Sequence, residues 1–530
     1  MPKQETVALW QIDSSLTSSS HRQGLTEEQL KDLRDVLSRG VGSGQTTVRH
    51  AQEVGAILGD EVFNQPGQTE ARAHNSAIRK AEALPCEIQW LQIPLCTGYK
   101  EEDEPIITMK EWPFILPHLL VQSMVDAGYL KLLIDFDIAE DYWTHMLKDF
   151  PGHPAGASAT TSIPLTLYGD EGQALGDSYM SFHFQPDLSP WLSNAGVSRF
   201  LITTIPSNMY VFNQDGINLT LQSAAAIIVE SMNKLSTSGV DVRDVQSDEV
   251  LTMRCFVMSF KGDWKYLIQL FNMTNTPSKE QVCWMRKASK GSRGDLENCY
   301  VNLDPQASWR STIGQDSPWQ HQPEYSKLIG FDPLMISIDP MHCWHLGTGR
   351  DVVASAIKYL VLKRFWPGRN QEHQLACCSK RLLRYAKAHR LPLRLRKLTK
   401  SNLGWSTGTC PELHCKAFDT YVVLRFLVSE VTSRDCGDPD LATMLWAADS
   451  FLTLLHKSGH FLTPEEQEHR VVVGELFLKV YTKLAAKAVA EKKNFGAQGR
   501  SFTCYGTWCS RNAVVEVTRS WVPVGWMKMP

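Results

Sequence analysis

Long apolar runs are missing from this chain: its longest, such as AAAIIV at 224–229, fall far short of the roughly 20 residues that a membrane-spanning helix needs. The opening MPKQETVALWQIDSSLTSSS carries no continuous apolar stretch behind its lysine. Neither secretion nor membrane insertion is expected, and a nuclear or cytoplasmic setting is. An excess of positive charge is lacking too. The formal net charge is -3, which excludes a histone-like polycation and leaves any nucleic-acid contact to local patches. Nor is there a cysteine framework: thirteen cysteines lie scattered from Cys86 to Cys509, mostly singly, and so long a chain needs no disulfide staples. Reduced thiols are the simpler reading. No repeat of fixed period is present.

What is present is an ordinary globular balance, 43% hydrophobic and 21% charged residues in a chain of 530, enough for two to four packed units. Residues 1–60 read as a loosely ordered arm with one helix, opened by the capping box Thr26-Glu27-Glu28-Gln29. Residues 61–160 read as an N-terminal helical region, on the helical spacing of 111–150; PGHPAGASATTS then breaks the pattern near 151–162. Beyond it IPLTLYGDE, DSYMSFHFQ and SRFLITTIPSNMYVF are rich in β-branched and aromatic residues and predict an antiparallel meander. LTLQSAAAIIVESMNKLSTSG predicts a helix stopped by Gly239, and VLTMRCFVMSF a further strand. The fold class expected is mixed α/β, with a β-β-β-α-β core over 161–335 that carries a cysteine-containing loop insertion. From 336 to 493 the chain predicts a large helical region, whose last helix starts at Thr463-Pro464-Glu465-Glu466, an N-cap with proline at the first helical position. Residues 494–530 change character and read as a short strand pair or a diverged tail.

The residues with chemical promise sit at strand ends. Asp170, in LYGDEGQA, closes the first strand, and Asp263, in SFKGDWKYL, lies just past the fourth. On neighbouring strands the two carboxylates would meet. Phosphodiester cleavage uses carboxylates that hold two divalent ions about 3.5–4 Å apart, and magnesium or manganese suits such hard oxygen ligands. An aspartate at a strand end is also commonly a turn residue or a helix cap, and spacing alone does not choose. A third motif, Ile338-Asp339-Pro340-Met341-His342-Cys343-Trp344-His345-Leu346-Gly347, precedes a helix.

Taken in order, LYGDEGQA, FKGDWKYLIQLFN and DPMHCWHLG resemble the text of CACTA-like DNA transposases, whose D-x-M-H signature follows the second catalytic aspartate. WRSTIG at 309–314 and GFDPLMISIDPMH at 330–342 are similar as well, so the resemblance covers roughly 110–490. It implies an RNase H-like core and ancestry in DDE/D-type, metal-dependent DNA cleavage and strand transfer. It also implies Asp170 and Asp263 as catalytic and metal-binding acids for magnesium or manganese, Asp339 and His342 as the family motif, and DNA as the partner in DNA transposition, with a homo-oligomer as an option.

Two departures matter. The family tends to carry a C-x-x-C pair after the second aspartate, whereas this chain has Cys283-Trp284-Met285-Arg286, so zinc is not expected. Cys283, Cys299, His342 and His345 are the remaining conceivable ligands. The third acid of the family lies on a late helix, and here only Glu430 and Glu475 can be nominated, both of which read more naturally as solvated helix-face residues. The tail after 494 is unlike the family. The chain therefore reads as a diverged or C-terminally incomplete, catalytically impaired member that binds DNA more readily than it cuts it.

Residues 361–400 give DNA contact a more direct footprint: twelve Lys/Arg against one acid, Glu372. Arg381, Arg384, Arg394, Arg396 and Lys397, near the aromatics Trp366 and Tyr385, are the phosphate-binding candidates, set against the ordinary solvated basic helix face. Two other classes stay open. One is a non-enzymatic nucleic-acid-binding or interaction protein that keeps the fold; the other is an unrelated mixed α/β enzyme in which Asp170 and Asp263 stand far apart.

Overall fold

The computed structural model describes residues 86–492 apart from 101–103, 175–176, 191–197, 244–249, 276–278, 292–296, 301, 316, 338, 406–410 and 460. The helix expected in 1–60, the first part of the 61–160 region and the 494–530 tail lie outside the described residues. The chain divides into two compact units, Met1–Glu87 with Leu119–Leu130, and Ile88–His118 with Lys131–Pro530. Of the first, the described residues supply most of one helix (α1, Pro117–Asp126).

The second unit opens on an antiparallel hairpin of β1 (Gln89–Tyr99) and β2 (Pro105–Phe114), in register from Gln89↔Phe114 to Cys96↔Ile107. This corrects the helical expectation for 61–160 over residues 89–114 alone. Pro94 and Pro113 would each break a helix interior, whereas both strands of a two-stranded sheet are edges and tolerate proline. Ile93, Leu95 and Phe114 are fully buried. Helix α2 (Phe136–Asp149) does follow, capped by Asp135, whose side chain accepts from the Asp137 N–H at 3.1 Å.

The main sheet holds β3 (Ser162–Ala174), β4 (Asp177–Pro186), β5 (Phe200–Pro206), β6 (Val240–Arg243) and β7 (Val250–Gly262) in the order β5-β4-β3-β7-β6. The first three pair antiparallel, as the meander predicted, and β7 joins β3 in parallel. Helix α3 (Leu219–Thr237) connects β5 to β6, so the expected β-β-β-α-β order is present with the short β6 added before its last strand. The Val240-Asp241-Val242-Arg243 alternation of β6 is the strand period, but four positions are too few for a periodicity argument. Asn218 caps α3, accepting from the Leu221 N–H at 3.0 Å, and Gly239 ends it at φ +70°. A Cβ there would stand 2.4 Å from the Met253 carbonyl oxygen. Ala224 and Ala225 on α3 are fully buried, and Ser236 donates to the Cys255 carbonyl at 2.7 Å, which fastens the helix to β7. Trp143 of α2 donates to the Ser162 carbonyl at 2.9 Å, at the start of β3.

After β7 comes the short α4 (Trp264–Leu270), then loops and 3-10 turns to residue 340. Near their end Ile336 pairs in parallel with Phe260, and the Ser337 N–H donates to the Phe260 carbonyl at 2.8 Å. That contact returns the chain to the end of β7. A π-helical turn (Met341–Thr348) leads into α5 (Gly349–Leu362), α6 (Gln371–Ala388), α7 (Ala417–Ser433), α8 (Pro439–Lys457) and α9 (Pro464–Lys492), the helical region that the sequence predicts. Thr463 and Glu466 form a full capping box at the start of α9: the Glu466 N–H donates to Thr463 Oγ1 at 3.2 Å, and the Thr463 N–H to the Glu466 carboxylate at 2.9 Å. Among the described residues no helix is long and apolar enough to cross a membrane.

Candidate functional site

The parallel register of β3 and β7 ends at Gly169↔Gly262, and the next residue on each strand is an aspartate, Asp170 and Asp263. Neighbouring strands run about 4.8 Å apart, so the sheet itself sets the two side by side. The glycines have a steric cause. A Cβ on Gly169 would fall 1.9 Å from the Tyr266 ring, and one on Gly262 would fall 2.4 Å from the same ring and from the Gly169 carbonyl oxygen. Tyr266 of α4 therefore lies flat over both, fully buried, with its ring 5.9 Å from Phe182.

Two details differ from the sequence reading. β3 does not stop at Asp170 but continues against β4 to Ala174, with Asp170 opposite Ser181, because the hairpin pairing outlasts the pairing to β7. Asp263 is the N-cap of α4, its Oδ1 accepting from the Tyr266 N–H at 2.6 Å, so the cap and the shared site coexist in one side chain. Burial pushes the Asp263 carboxyl pKa up; the Tyr266 N–H and His342 oppose this, and the charges of Asp170 and Glu171 add to it.

The third motif arrives from the other side. The Ile336–Phe260 pairing carries Asp339 toward the strand ends, where its Oδ1 accepts from the Met341 N–H at 2.8 Å and its Oδ2 meets His342 Nδ1 at 2.7 Å. His342 Nε2 then stands 3.6 Å from Asp170 Oδ1, an ion-pair distance rather than a hydrogen bond. Burial alone would lower the His342 pKa, but the two carboxylates prevail and raise it to about 10. At neutral pH an imidazolium thus links Asp339 to Asp170.

Four residues of this site escaped the sequence reading. Tyr168 places its hydroxyl 3.4 Å from Asp170 Oδ2; burial pushes its pKa up, followed by the charges of Asp339, Asp170 and Asp263, so three carboxylates act on one phenol. Arg199 lies over the Tyr168 ring, 5.0 Å from its centre, and is itself exposed. Lys261, opposite Tyr168 in the register, has its pKa pulled down by burial against the charges of Asp187 and Asp339. Glu171 is tied to Lys265 and accepts from Ser207 at 2.8 Å. Period-2 alternation from Asp170 would have pointed to Tyr168, and Glu171 adjoins it in LYGDE; nothing local marks Arg199.

The nominated third acids are elsewhere employed. Glu430, 6% exposed rather than solvated, accepts from Trp366 Nε1 at 2.9 Å and from Arg381 Nη2 at 2.7 Å, and pairs with Arg434. Glu475 pairs with the buried Arg310 at 3.0 Å. Asp170 and Asp263 offer the hard oxygens that magnesium or manganese prefers. Asp339 spends both oxygens on His342 and the Met341 N–H, and among the described residues no three His, Cys, Asp or Glu are grouped to hold a metal ion. The donor set suits one divalent ion on two carboxylates, short of the pair that in-line displacement uses. The cysteines and histidines weighed for zinc are not assembled either: Cys283 Sγ accepts the Met285 and Arg286 N–H groups at 3.2 and 3.1 Å, Cys299 Sγ donates to the Lys290 carbonyl at 3.5 Å, and His345 is buried.

The basic segment divides. Arg381 is committed to Glu430 and is removed from the phosphate-binding set, and Trp366, 1% exposed, serves the same carboxylate. Tyr385 packs against His389 and Phe426. The others face water. Lys380, Arg384 and Lys387 follow helical spacing on the exposed side of α6, and LPLRLRKL at 391–398 is extended, with alternation that turns Leu391, Leu393 and Leu395 inward and Arg394 and Arg396 outward. Asp419 holds this segment by accepting the Arg394 and Leu395 N–H groups at 2.9 and 3.0 Å. Among the described residues no acid pairs with Arg384, Arg394, Arg396 or Lys397.

Comparison with known proteins finds no matching family model and no matching curated protein.

Proposed function

We propose that this chain is a DNA-binding protein of the CACTA-like transposase kind, with an RNase H-like core whose cleavage chemistry is impaired. The observation that carries the reading is the Gly169↔Gly262 pairing, which places Asp170 beside Asp263, with Asp339 and His342 brought onto Asp170. Three motifs far apart in sequence meet in the order that the resemblance implies, on a β-β-β-α-β frame.

A magnesium or manganese ion would be held by Asp170 and Asp263 and would supply neutralisation of charge at a phosphate's oxygens. Arg199, exposed beside Tyr168, is placed to meet a phosphate at the same point. Among the described residues the site has no third free carboxylate to orient an attacking water, and in-line displacement depends on that orientation. Glu430 and Glu475 are held by arginines, and His342 claims one oxygen of Asp170. The exposed Arg384, Arg394, Arg396 and Lys397 provide phosphate contact without chemistry.

The test is duplex affinity measured against salt. Each phosphate contact contributes a slope of about -0.9 in log K against log salt. The Arg394→Ala, Arg396→Ala double variant is expected to flatten that slope by roughly two and to weaken all sequences alike. A salt-independent affinity, or one untouched by the double variant, rejects the reading.

A further inference from the structure

Residues 391–398, LPLRLRKL, carry the exposed Arg394, Arg396 and Lys397 yet belong to no helix or strand. No ladder holds their backbone, and side chains do so instead. Asp419 accepts the N–H groups of Arg394 and Leu395, one on each carboxylate oxygen, at 2.9 and 3.0 Å. Ser379 Oγ of α6 accepts the Leu398 N–H at 2.9 Å, and Asn402 Nδ2 donates to the Lys397 carbonyl at 2.6 Å.

Asp419 is the charged anchor among these. It is 3% exposed and sits in the first turn of α7, where the helix dipole favours a carboxylate. Hydrogen bonds to an ionised acceptor are roughly twice as strong as neutral ones. Here two of them fall on successive residues and fix the backbone at Arg394. The two-residue alternation of an extended chain then sends Arg396 to the same side. Side chains on alternate residues of such a chain stand about 6.6 Å apart, the scale of the gap between successive phosphates on one strand.

We propose that Asp419 is a positioning residue for DNA: it preforms residues 391–398 as a strap whose Arg394 and Arg396 meet neighbouring phosphates of one strand. The inference rests on the DNA-binding reading above and deepens it by assigning what holds the basic face in place. A backbone fixed in advance removes part of the ordering cost of binding. The sign of the effect is diagnostic. An acid opposes a polyanion through its charge, so charge alone predicts that neutralising Asp419 tightens binding, whereas loss of positioning weakens it.

Anisotropy of a labelled duplex with the full chain compares the wild type, Asp419→Asn, the Arg394→Ala, Arg396→Ala double variant and the triple variant, each shown by its melting curve to be folded at the assay temperature. Asparagine keeps the shape but turns an amide NH2 toward one of the two backbone N–H groups. Asp419→Asn should weaken binding about five- to tenfold. In the double-variant background the same change should move affinity by less than about twofold, a coupling that a role in stability alone does not produce. Ser379→Ala removes the Leu398 acceptor and suits a helix, and should weaken binding about threefold with the same coupling. It decides the matter if Asp419→Asn does not fold. Binding unchanged or tightened by Asp419→Asn, or weakened equally in both backgrounds, overturns the positioning role and spares the DNA-binding reading. A wild type that binds no duplex, or whose binding the double variant leaves untouched, overturns that reading and the strap with it.

Discussion

Replacing Glu430 with alanine separates a structural ion cluster from a catalytic acid. Glu430 sits on α7 and receives Trp366 and Arg381 from the α5–α6 side as well as Arg434 from its own helix. Removing one partner of a buried ion pair costs about 3–5 kcal/mol. Here both arginine side chains are 34% exposed and regain water, which lowers that part to about 1–2 kcal/mol. The Trp366 N–H does not recover, since its side chain is 1% exposed, and an orphaned buried donor costs about 1–3 kcal/mol. The expected loss is about 3 kcal/mol, read as a lower urea midpoint and as faster hydrogen exchange in α6 and α7. pH supplies a second readout. Burial would raise the Glu430 pKa, but Arg381, Trp366 and Arg434 hold it below the ordinary carboxyl value of 4.5. A depressed acid contributes stability above its unfolded pKa and loses it as pH falls through the folded one, so the gap between wild type and variant should hold at neutral pH and narrow only in acid, below the ordinary value of 4.5. A Glu430→Ala protein as stable as the wild type, yet stripped of metal-dependent cleavage, would refute this account and make Glu430 the missing ligand.

Gly169→Ala should destabilise the chain by several kcal/mol, since its Cβ would enter the Tyr266 ring; Tyr266→Ala in the same background should restore part of the loss, and independence of the two changes in thermal unfolding would count against the packing described. The His342 pKa is raised above its ordinary 6.5 to about 10, so its contribution is full below about pH 6.5 and lost as pH rises through 10. Taken whole the shift is roughly 5 kcal/mol; with Asp170 36% exposed, about 1–2 kcal/mol is expected, seen as a decline in melting temperature between pH 7 and 10 that His342→Gln lacks. An identical decline in the variant would place the cause elsewhere.

The sequence made the frame legible where period and composition agree. The meander and β7 carry β-branched, aromatic and apolar content, α3 and most of the C-terminal helices carry helical spacing, and Thr463-Pro464-Glu465-Glu466 announces a cap that the geometry then realises. The hairpin at 89–114 departs from the helical expectation because that expectation rests on the spacing of 111–150, which overlaps only the end of β2, while Pro94 and Pro113 weigh against helix. At the site, Asp170, Asp263, Asp339 and His342 were found because each lies in a motif. Tyr168 carries only the two-residue alternation from Asp170 and no motif of its own, and the role of Arg199 exists only when β3 and the approach to β5 are folded together. Arg381 and Glu430 show the opposite error. As charges on separate helices both look solvated, and only the packing of α6 on α7 reveals that they neutralise each other.

The most direct test of the central claim is cleavage of a labelled duplex with magnesium or manganese, comparing the intact chain with Asp170→Ala and Asp263→Ala. The account predicts that all three retain the duplex at low salt and that none cuts it at an appreciable rate, because the two carboxylates lack the third that places the water. Robust metal-dependent cleavage by the intact chain, abolished by both substitutions, would contradict it.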